Sequence, residues 1–346
     1  MSFVKRFRSI FTSTKRCIEW NELYLKKHNG MINFPALHYP DTIADIFSRV
    51  RFIDIPSEIQ KGLQNEINFV DLNGGLTDLA SIDETGQVEI SATFCQMMWF
   101  ISYVAIYLHD YLELSSELSS YSDSKQKQFI RELEYCPELK SHVIDVFKIE
   151  KPTDRLVPLT DVILKLASGS DLTDDDIAYI EQFNSTSSLS IKAGSAYCYA
   201  VVFDLLHEAS HYSLEHDFTS DGSLQEEEDA DDNAFLTMIS DLIWNEEFSS
   251  KIGIITALAS LLFINPELRR DHIHPYSDKR LFGYFDQIEG LGHKGTHYLV
   301  IILTLWSICF NHTDFPKPSE DEPKEETLSK MRCYLDRLCK RTNGLM

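Results

Sequence analysis

Residues 195–212 read SAYCYAVVFDLLHEASHY, and this stretch decides both the fold class and the expected chemistry. Apolar residues such as Leu205 and Ala209 recur four positions apart, which predicts a helix with one apolar face. His207 and His211 are separated by the same interval, so their imidazoles lie on one face, one turn apart. The stretch therefore predicts a long, half-buried helix that carries two histidines.

The two histidines and Glu208 between them form the motif His-Glu-x-x-His. Two imidazoles at this spacing can both bind one zinc ion at about 2.0–2.1 Å. Glu208 is then the general base that takes a proton from a zinc-activated water as the water attacks a carbonyl. The motif predicts a zinc metallopeptidase with His207 and His211 as metal ligands. The alternative is that the three residues merely decorate the surface of a helix.

A catalytic zinc needs a third protein ligand and leaves its fourth position to water. Asp217 would be that ligand if the chain turned back after the helix, but Leu214 stands where such proteins have glycine, and leucine is costly at positive φ. Residues 225–235 (QEEEDADDNAF) predict a second helix whose inward face carries Ala230 and Ala234. The carboxylates beside Ala230 are the preferred candidates.

At this point the chain resembles the gluzincins, in which a Glu-Ala-Asp-x-x-Ala helix follows the His-Glu-x-x-His helix. Aligned with that pattern, Asp229 takes the third-ligand position, although aspartate is shorter than the glutamate of the family. Glu228 is the alternative, since Glu228 with Asp232 matches the form in which the later aspartate orients a ligand histidine. The resemblance favours Asp229 slightly over Glu228 and implies a Zn²⁺ cofactor.

Residues 274–280 (HPYSDKR) resemble the His-Pro-x-x-x-x-Arg segment that follows the zinc helices of HtpX-type gluzincins. The resemblance implies that His274 steadies the oxyanion of the tetrahedral intermediate as a second catalytic residue. It also implies that Arg280 braces the acidic helix.

The layout as a whole resembles the Lit-type phage-exclusion peptidases, which are cytosolic bacterial proteins. The resemblance covers about residues 195–283. It implies an antiviral defence enzyme that stays inactive until a phage product, such as an activating peptide, appears. The enzyme then cleaves a host protein, which is a translation factor, elongation factor Tu, in the prototype.

The expected fold is mainly helical α+β, with a zincin-like core made of the two site helices and a small sheet. We expect a helical region at 1–170 and a metallopeptidase region at 171–346, or one continuous domain. Alternation predicts strands at 88–91 and 189–191, and the second of these would pair with the substrate backbone.

The composition of the chain restricts the kinds of partner and the compartment that we expect for it. The net charge of -22 argues against nucleic acid, whose binding needs basic patches. Seven cysteines without a CxxC spacing indicate free thiols in a reducing compartment, hence the cytoplasm. Apolar runs at 94–108, 252–264 and 298–310 fall short of the ~20 residues that span a bilayer, so no integral membrane segment is expected.

Three alternatives remain open. An interaction or sensor protein with an inactive zincin-like fold is the first, and the intact Glu208 argues against it. A membrane-associated HtpX-type protease is the second, and the short apolar runs argue against it. A hydrolase that acts on something other than a peptide is the third, because zinc chemistry is common to amides and esters.

Overall fold

A computed structural model describes residues 35–50, 67–70, 80–82, 88–147, 152–168, 170, 172–183, 187–214, 216, 223–242, 247–269, 274–319 and 322–345. Asp217, the alternative third ligand, lies outside the described residues.

The described residues are mainly helical, as predicted, and form twelve α-helices. In chain order these are α1 (Pro40–Phe47), α2 (Ala92–Ser120), α3 (Asp123–Tyr135), α4 (Pro137–Phe147), α5 (Pro152–Ala167), α6 (Asp174–Ile180), α7 (Ser188–Ser213), α8 (Leu224–Thr237), α9 (Glu247–Ile264), α10 (Ser277–Phe285), α11 (Gly292–Cys309) and α12 (Lys324–Thr342). A 3₁₀-helix, Pro35–His38, precedes α1, and a π-helical turn, Met238–Leu242, continues α8.

Three short strands form a sheet beside the helices: β1 (Ile67–Val70), β2 (Ala80–Ile82) and β3 (Val88–Ser91). Strand β3 is central, with β1 parallel to it and β2 antiparallel. The strand predicted at 88–91 is therefore confirmed. It leads directly into α2, where the Ser91 hydroxyl accepts a hydrogen bond from the Phe94 amide at 3.1 Å and caps the helix.

Helix α7 lies at the centre of the fold and is buried over most of its length. Helices α2, α8 and α9 pack along it. Gly253 permits the close approach of α9, since a Cβ there would lie 2.4 Å from the Cβ of Tyr199 in α7. Burial of α7 on several sides fixes the position of the two histidines near its C-terminal end.

The three apolar runs lie in α2, α9 and α11, and most of their residues belong to the hydrophobic core. Among the described residues, α7 alone is long and apolar enough, by length and composition, to cross a membrane. Its most apolar window is 78% buried inside the protein.

The strand predicted at 189–191 is wrong, because these residues form the first turn of α7. Ser187 caps this helix, with its hydroxyl accepting from the Ser190 amide at 3.0 Å. This cap provides a partner for a free amide of the first turn and so fixes the start of the helix. The alternation of Leu189 and Ile191 is too short a signal to favour a strand over this capped helix. The expected pairing of substrate backbone with a strand at this place fails with it.

One hydrophobic core extends across both regions expected from the sequence. Helix α2, from the first region, packs against α7 and α11, from the second. The division near residue 170 stays a prediction.

Candidate active site

Helix α8 places an acidic side chain opposite the histidines of α7. A capping box fixes the start of α8. The Ser223 hydroxyl accepts a hydrogen bond from the Glu226 amide at 3.2 Å, and the Glu226 carboxylate accepts one from the Ser223 amide at 2.6 Å. Ala230 and Ala234 then face inward and are fully buried. Glu227 lies one turn before Ala230 on the same face and is 8% exposed.

Glu227 and the two histidines form a compact cluster. The Nε2 atoms of His207 and His211 lie 3.2 Å apart. Glu227 Oε2 lies 3.3 Å from His207 Nε2, and Glu227 Oε1 lies 3.6 Å from His211 Nε2. Two ligands at about 2.0–2.1 Å from a tetrahedral zinc are about 3.3–3.4 Å apart, so these separations suit one ion.

The chemistry of the donors fits a cation as well. Glu227 Oε2 is buried and makes no hydrogen bond within the described part of the chain. The facing Nε2 atoms of His207 and His211 also need a proton or a metal ion between them, because two lone pairs repel. The three side chains are therefore a group that can hold a metal.

Glu228 and Asp229, the expected third ligands, are exposed and do not lie in this cluster. Asp229 instead accepts a hydrogen bond from the Gln225 side chain at 2.9 Å. The reason is the phase of the helix. At about 100° per residue, Glu227 and Asp231 lie about 60° and 100° from Ala230 on the same side of the helix. Glu228 lies about 160° away, and Asp229 lies about 100° away on the opposite side.

Asp231 of α8 orients His207. Its Oδ1 accepts from His207 Nδ1 at 2.8 Å and from Arg280 Nη2 at 2.5 Å, and its side chain is 1% exposed. Because Nδ1 donates to Asp231, Nε2 is the nitrogen that faces the cluster, where it can hold a proton or bind a metal ion in its place. The contact with Arg280 confirms that this arginine braces the acidic helix.

His211 has a partner of its own. Its Nδ1 lies 2.9 Å from Nδ1 of His216, just after the C-terminal end of α7. A hydrogen bond between these two atoms leaves His211 Nε2 directed at Glu227. Each histidine of the motif therefore has a hydrogen-bond partner at its Nδ1 atom, which is Asp231 for His207 and His216 for His211.

Burial and the contacts within the cluster shift the pKa values of its members. Burial lowers the pKa of His207, but its contacts with Asp231 and Glu227 outweigh this and raise it to about 10. Burial raises the pKa of Glu227, and the contact with His207 nonetheless lowers it to about 2. Burial and the neighbouring His207 lower the pKa of His211 to about 4. Burial raises the pKa of Asp204, one turn before His207, to about 7.

Of the two expected catalytic residues, His274 lies at the edge of the cluster. His274, ahead of α10, has its Nε2 3.5 Å from Glu227 Oε2 and is 39% exposed. Glu208 follows His207 on α7 and is half-buried. The cluster thus has a buried side, with Asp231 and Arg280, and a more open side, with His274.

The model of the Peptidase U49 family matches residues 88–301, which is more than half of the chain and includes every site residue named above. The chain belongs to the Peptidase U49 family. This U49 chain is therefore a protease by family, that is, a hydrolase. No curated protein and no solved structure matches it.

Sequence reasoning did not select three residues of the candidate site: Glu227, Asp231 and His216. Glu227 and Asp231 are four apart, so they carry the same Glu-x-x-x-Asp spacing that was assigned to Glu228 and Asp232 one position later. The inward alanines favour the earlier register, since Glu227 precedes Ala234 by two helical turns, but the choice among adjacent carboxylates also depends on packing against α7. His216 had no such signal, because it lies past the end of the helix.

Proposed function

We propose that the chain is a zinc-dependent endopeptidase whose metal is held by His207, His211 and Glu227. The observation that carries the proposal is the spacing of 3.2–3.6 Å among their three donor atoms. Two imidazoles, one carboxylate and an open fourth position are the ligand set of catalytic zinc in peptidases. The assignment of the chain to a peptidase family supports the same reaction. This arrangement also supports the resemblance to the gluzincins.

Bound zinc would polarise the scissile carbonyl and make water a stronger acid. The residues of the chain perform the remaining steps. Glu208 takes a proton from the attacking water at its carboxylate and later delivers it to the leaving nitrogen. His274 donates a hydrogen bond to the developing oxyanion from the open side. Asp231 and Arg280 keep His207 in one tautomer and one orientation throughout.

The proposal extends to the biological role. The resemblance to Lit-type phage-exclusion peptidases supports a cytoplasmic defence enzyme that cleaves a host protein once a phage product activates it. A translation factor is the substrate that the resemblance suggests. The strongly acidic composition supports a protein substrate over nucleic acid.

The variant Glu208→Gln tests the proposed reaction. The amide has nearly the size of the carboxylate but can neither accept nor return the proton, so hydrolysis should fall by about 10²–10⁴-fold. Zinc content should not change, because Glu208 is not among the proposed ligands. Glu228→Gln is the matched control, since it makes the same chemical change on an exposed part of α8 and should keep full activity.

The assay is expression in a bacterial host with and without phage infection, followed by identification of newly formed protein N-termini and by growth measurements. Wild type and Glu228→Gln should produce new N-termini and arrest growth, and Glu208→Gln should do neither. If Glu208→Gln retains zinc and remains equally toxic, the effect does not come from peptide hydrolysis. The interaction-protein alternative would then replace the proposal.

A further inference from the structure

A second cluster of potential metal ligands lies away from the active site. His109 and Glu113 are one turn apart on α2, and His297 faces them from α11. One donor atom from each lies within 4.8 Å of the other two. The ring centroids of His109 and His297 are 5.3 Å apart, close to the 4.9 Å between His207 and His211.

His109 is oriented in the same way as His207. Its Nδ1 lies 3.2 Å from Asp110 Oδ1. The other oxygen of Asp110 lies 3.1 Å from His142 Nε2 and 2.8 Å from Lys192 Nζ. The Asp110 carboxylate is thus an acceptor for all three groups, including the ammonium group of Lys192. Nδ1 of His109 therefore carries the proton, and Nε2 keeps its lone pair.

No donor among the described residues pairs with the lone pair of His109. His109 Nε2 and His297 Nδ1 are both buried, and neither makes a hydrogen bond to a residue that the structure describes. The side chains are 10% and 8% exposed, so water does not readily replace the missing partner. An unsatisfied buried polar group costs about 1–3 kcal/mol, and a shared cation removes that cost at both nitrogens. Glu113 Oε1 lies 3.6 Å from His297 Nδ1, a separation suited to two ligands of one ion.

We propose that His109, Glu113 and His297 form a second metal site, for a divalent transition metal of the zinc class. Imidazole and carboxylate are the donors that zinc accepts, and the exposed Glu113 leaves room for water at the fourth position. A metal here joins α2 to α11, and α2 in turn packs against α7, the helix of the active site. Its role is to stabilise the fold.

The second site is separate from the active site. Lys192, which contacts Asp110 beside His109, lies near the start of α7, and His207 lies 207 − 192 = 15 residues further along the same helix. At 1.5 Å per residue this is about 22 Å along the helix axis. One ion cannot occupy both sites, so each contributes its own equivalent of metal.

Zinc content of the full chain tests the inference. Metal is removed by chelation, zinc is added in excess, unbound zinc is removed, and the equivalents per chain are measured. Glu113→Gln and His297→Ala should each bind one equivalent fewer than wild type. Glu117→Gln, an exposed acid one turn further along α2, is the matched control and should equal wild type. Glu113 is exposed, so its variant should fold normally.

The result is independent of the proposed active-site zinc. His211→Ala removes only the first equivalent, and the double variant His211→Ala with His297→Ala should lack both. If the active-site proposal is wrong, wild type holds one equivalent, which His297→Ala loses and His211→Ala keeps. Zinc should also raise the melting temperature of His211→Ala more than that of the double variant. Unchanged zinc content in both Glu113→Gln and His297→Ala would overturn the second site.

Discussion

Replacement of Asp231 by alanine tests the buried contact that links α7, α8 and α10. The carboxylate is 1% exposed and accepts charge-assisted hydrogen bonds from His207 Nδ1 at 2.8 Å and Arg280 Nη2 at 2.5 Å. Two such bonds contribute about 1.5–3 kcal/mol each. Removal of one partner from a buried ion pair costs about 3–5 kcal/mol, because the other charge stays behind unpaired. Asp231→Ala should therefore lower the free energy of unfolding of the zinc-free protein by about 3–5 kcal/mol.

The assay is denaturant unfolding of zinc-free protein, followed by circular dichroism. Asp232→Ala is the matched control, because this neighbouring carboxylate is exposed and accepts one hydrogen bond, from the Tyr284 hydroxyl at 2.7 Å. Its loss should cost only about 1 kcal/mol. Zinc affinity of the active site should fall by about 10–100-fold in Asp231→Ala, because His207 loses the group that orients it, and should not change in Asp232→Ala.

Equal losses of stability in the two variants would refute the reasoning. They would mean that the charge of Arg280 is balanced without Asp231. Asp204 would then be the compensating group, since burial raises its pKa to about 7 and removal of Asp231 would favour its ionisation.

Two further predictions follow from the geometry. At about pH 6, zinc binding at the active site should release about one proton, because the pKa of His207 is about 10 while those of His211 and Glu227 are about 4 and 2. Calorimetry of Glu113→Gln in buffers of different ionisation enthalpy measures this, and zero release would contradict the contacts of His207. Gly253→Ala should destabilise the fold by about 1–3 kcal/mol in thermal unfolding, because the added Cβ would meet Tyr199 Cβ at 2.4 Å. Gly283→Ala, with no atom within 4 Å of its Cβ, should leave stability unchanged or raise it by up to about 1 kcal/mol, and equal effects would argue against the close contact of α7 and α9.

The helix of the active site could be predicted from sequence because its signal is local. Leu205 and Ala209 are four residues apart, and so are His207 and His211. Each pair therefore lies on one face of a helix, whatever the rest of the chain does. The start of α7 is harder to predict from sequence. Ser187 competes there with a short apolar alternation, and only the fold decides which of the two signals prevails.

The acidic partner of the histidines required tertiary information. Sequence reasoning indicated the helix that faces the histidines but favoured Asp229, and then Glu228, because several carboxylates lie within one turn and only packing against α7 selects among them. The structure brings Glu227 to the histidines instead. The cluster of His109 and His297 was beyond sequence reasoning, since these residues are far apart in the chain and meet only where α2 packs against α11.

Zinc content of Glu227→Gln, compared with that of wild type and Glu228→Gln, tests the proposed active site most directly. The two variants make the same change at adjacent positions of α8, one facing the histidines and one exposed. We expect Glu227→Gln to bind one equivalent fewer than wild type after dialysis, and Glu228→Gln to bind the same amount as wild type. Full zinc in Glu227→Gln, or a loss confined to Glu228→Gln, would contradict the assignment of Glu227 as the third ligand.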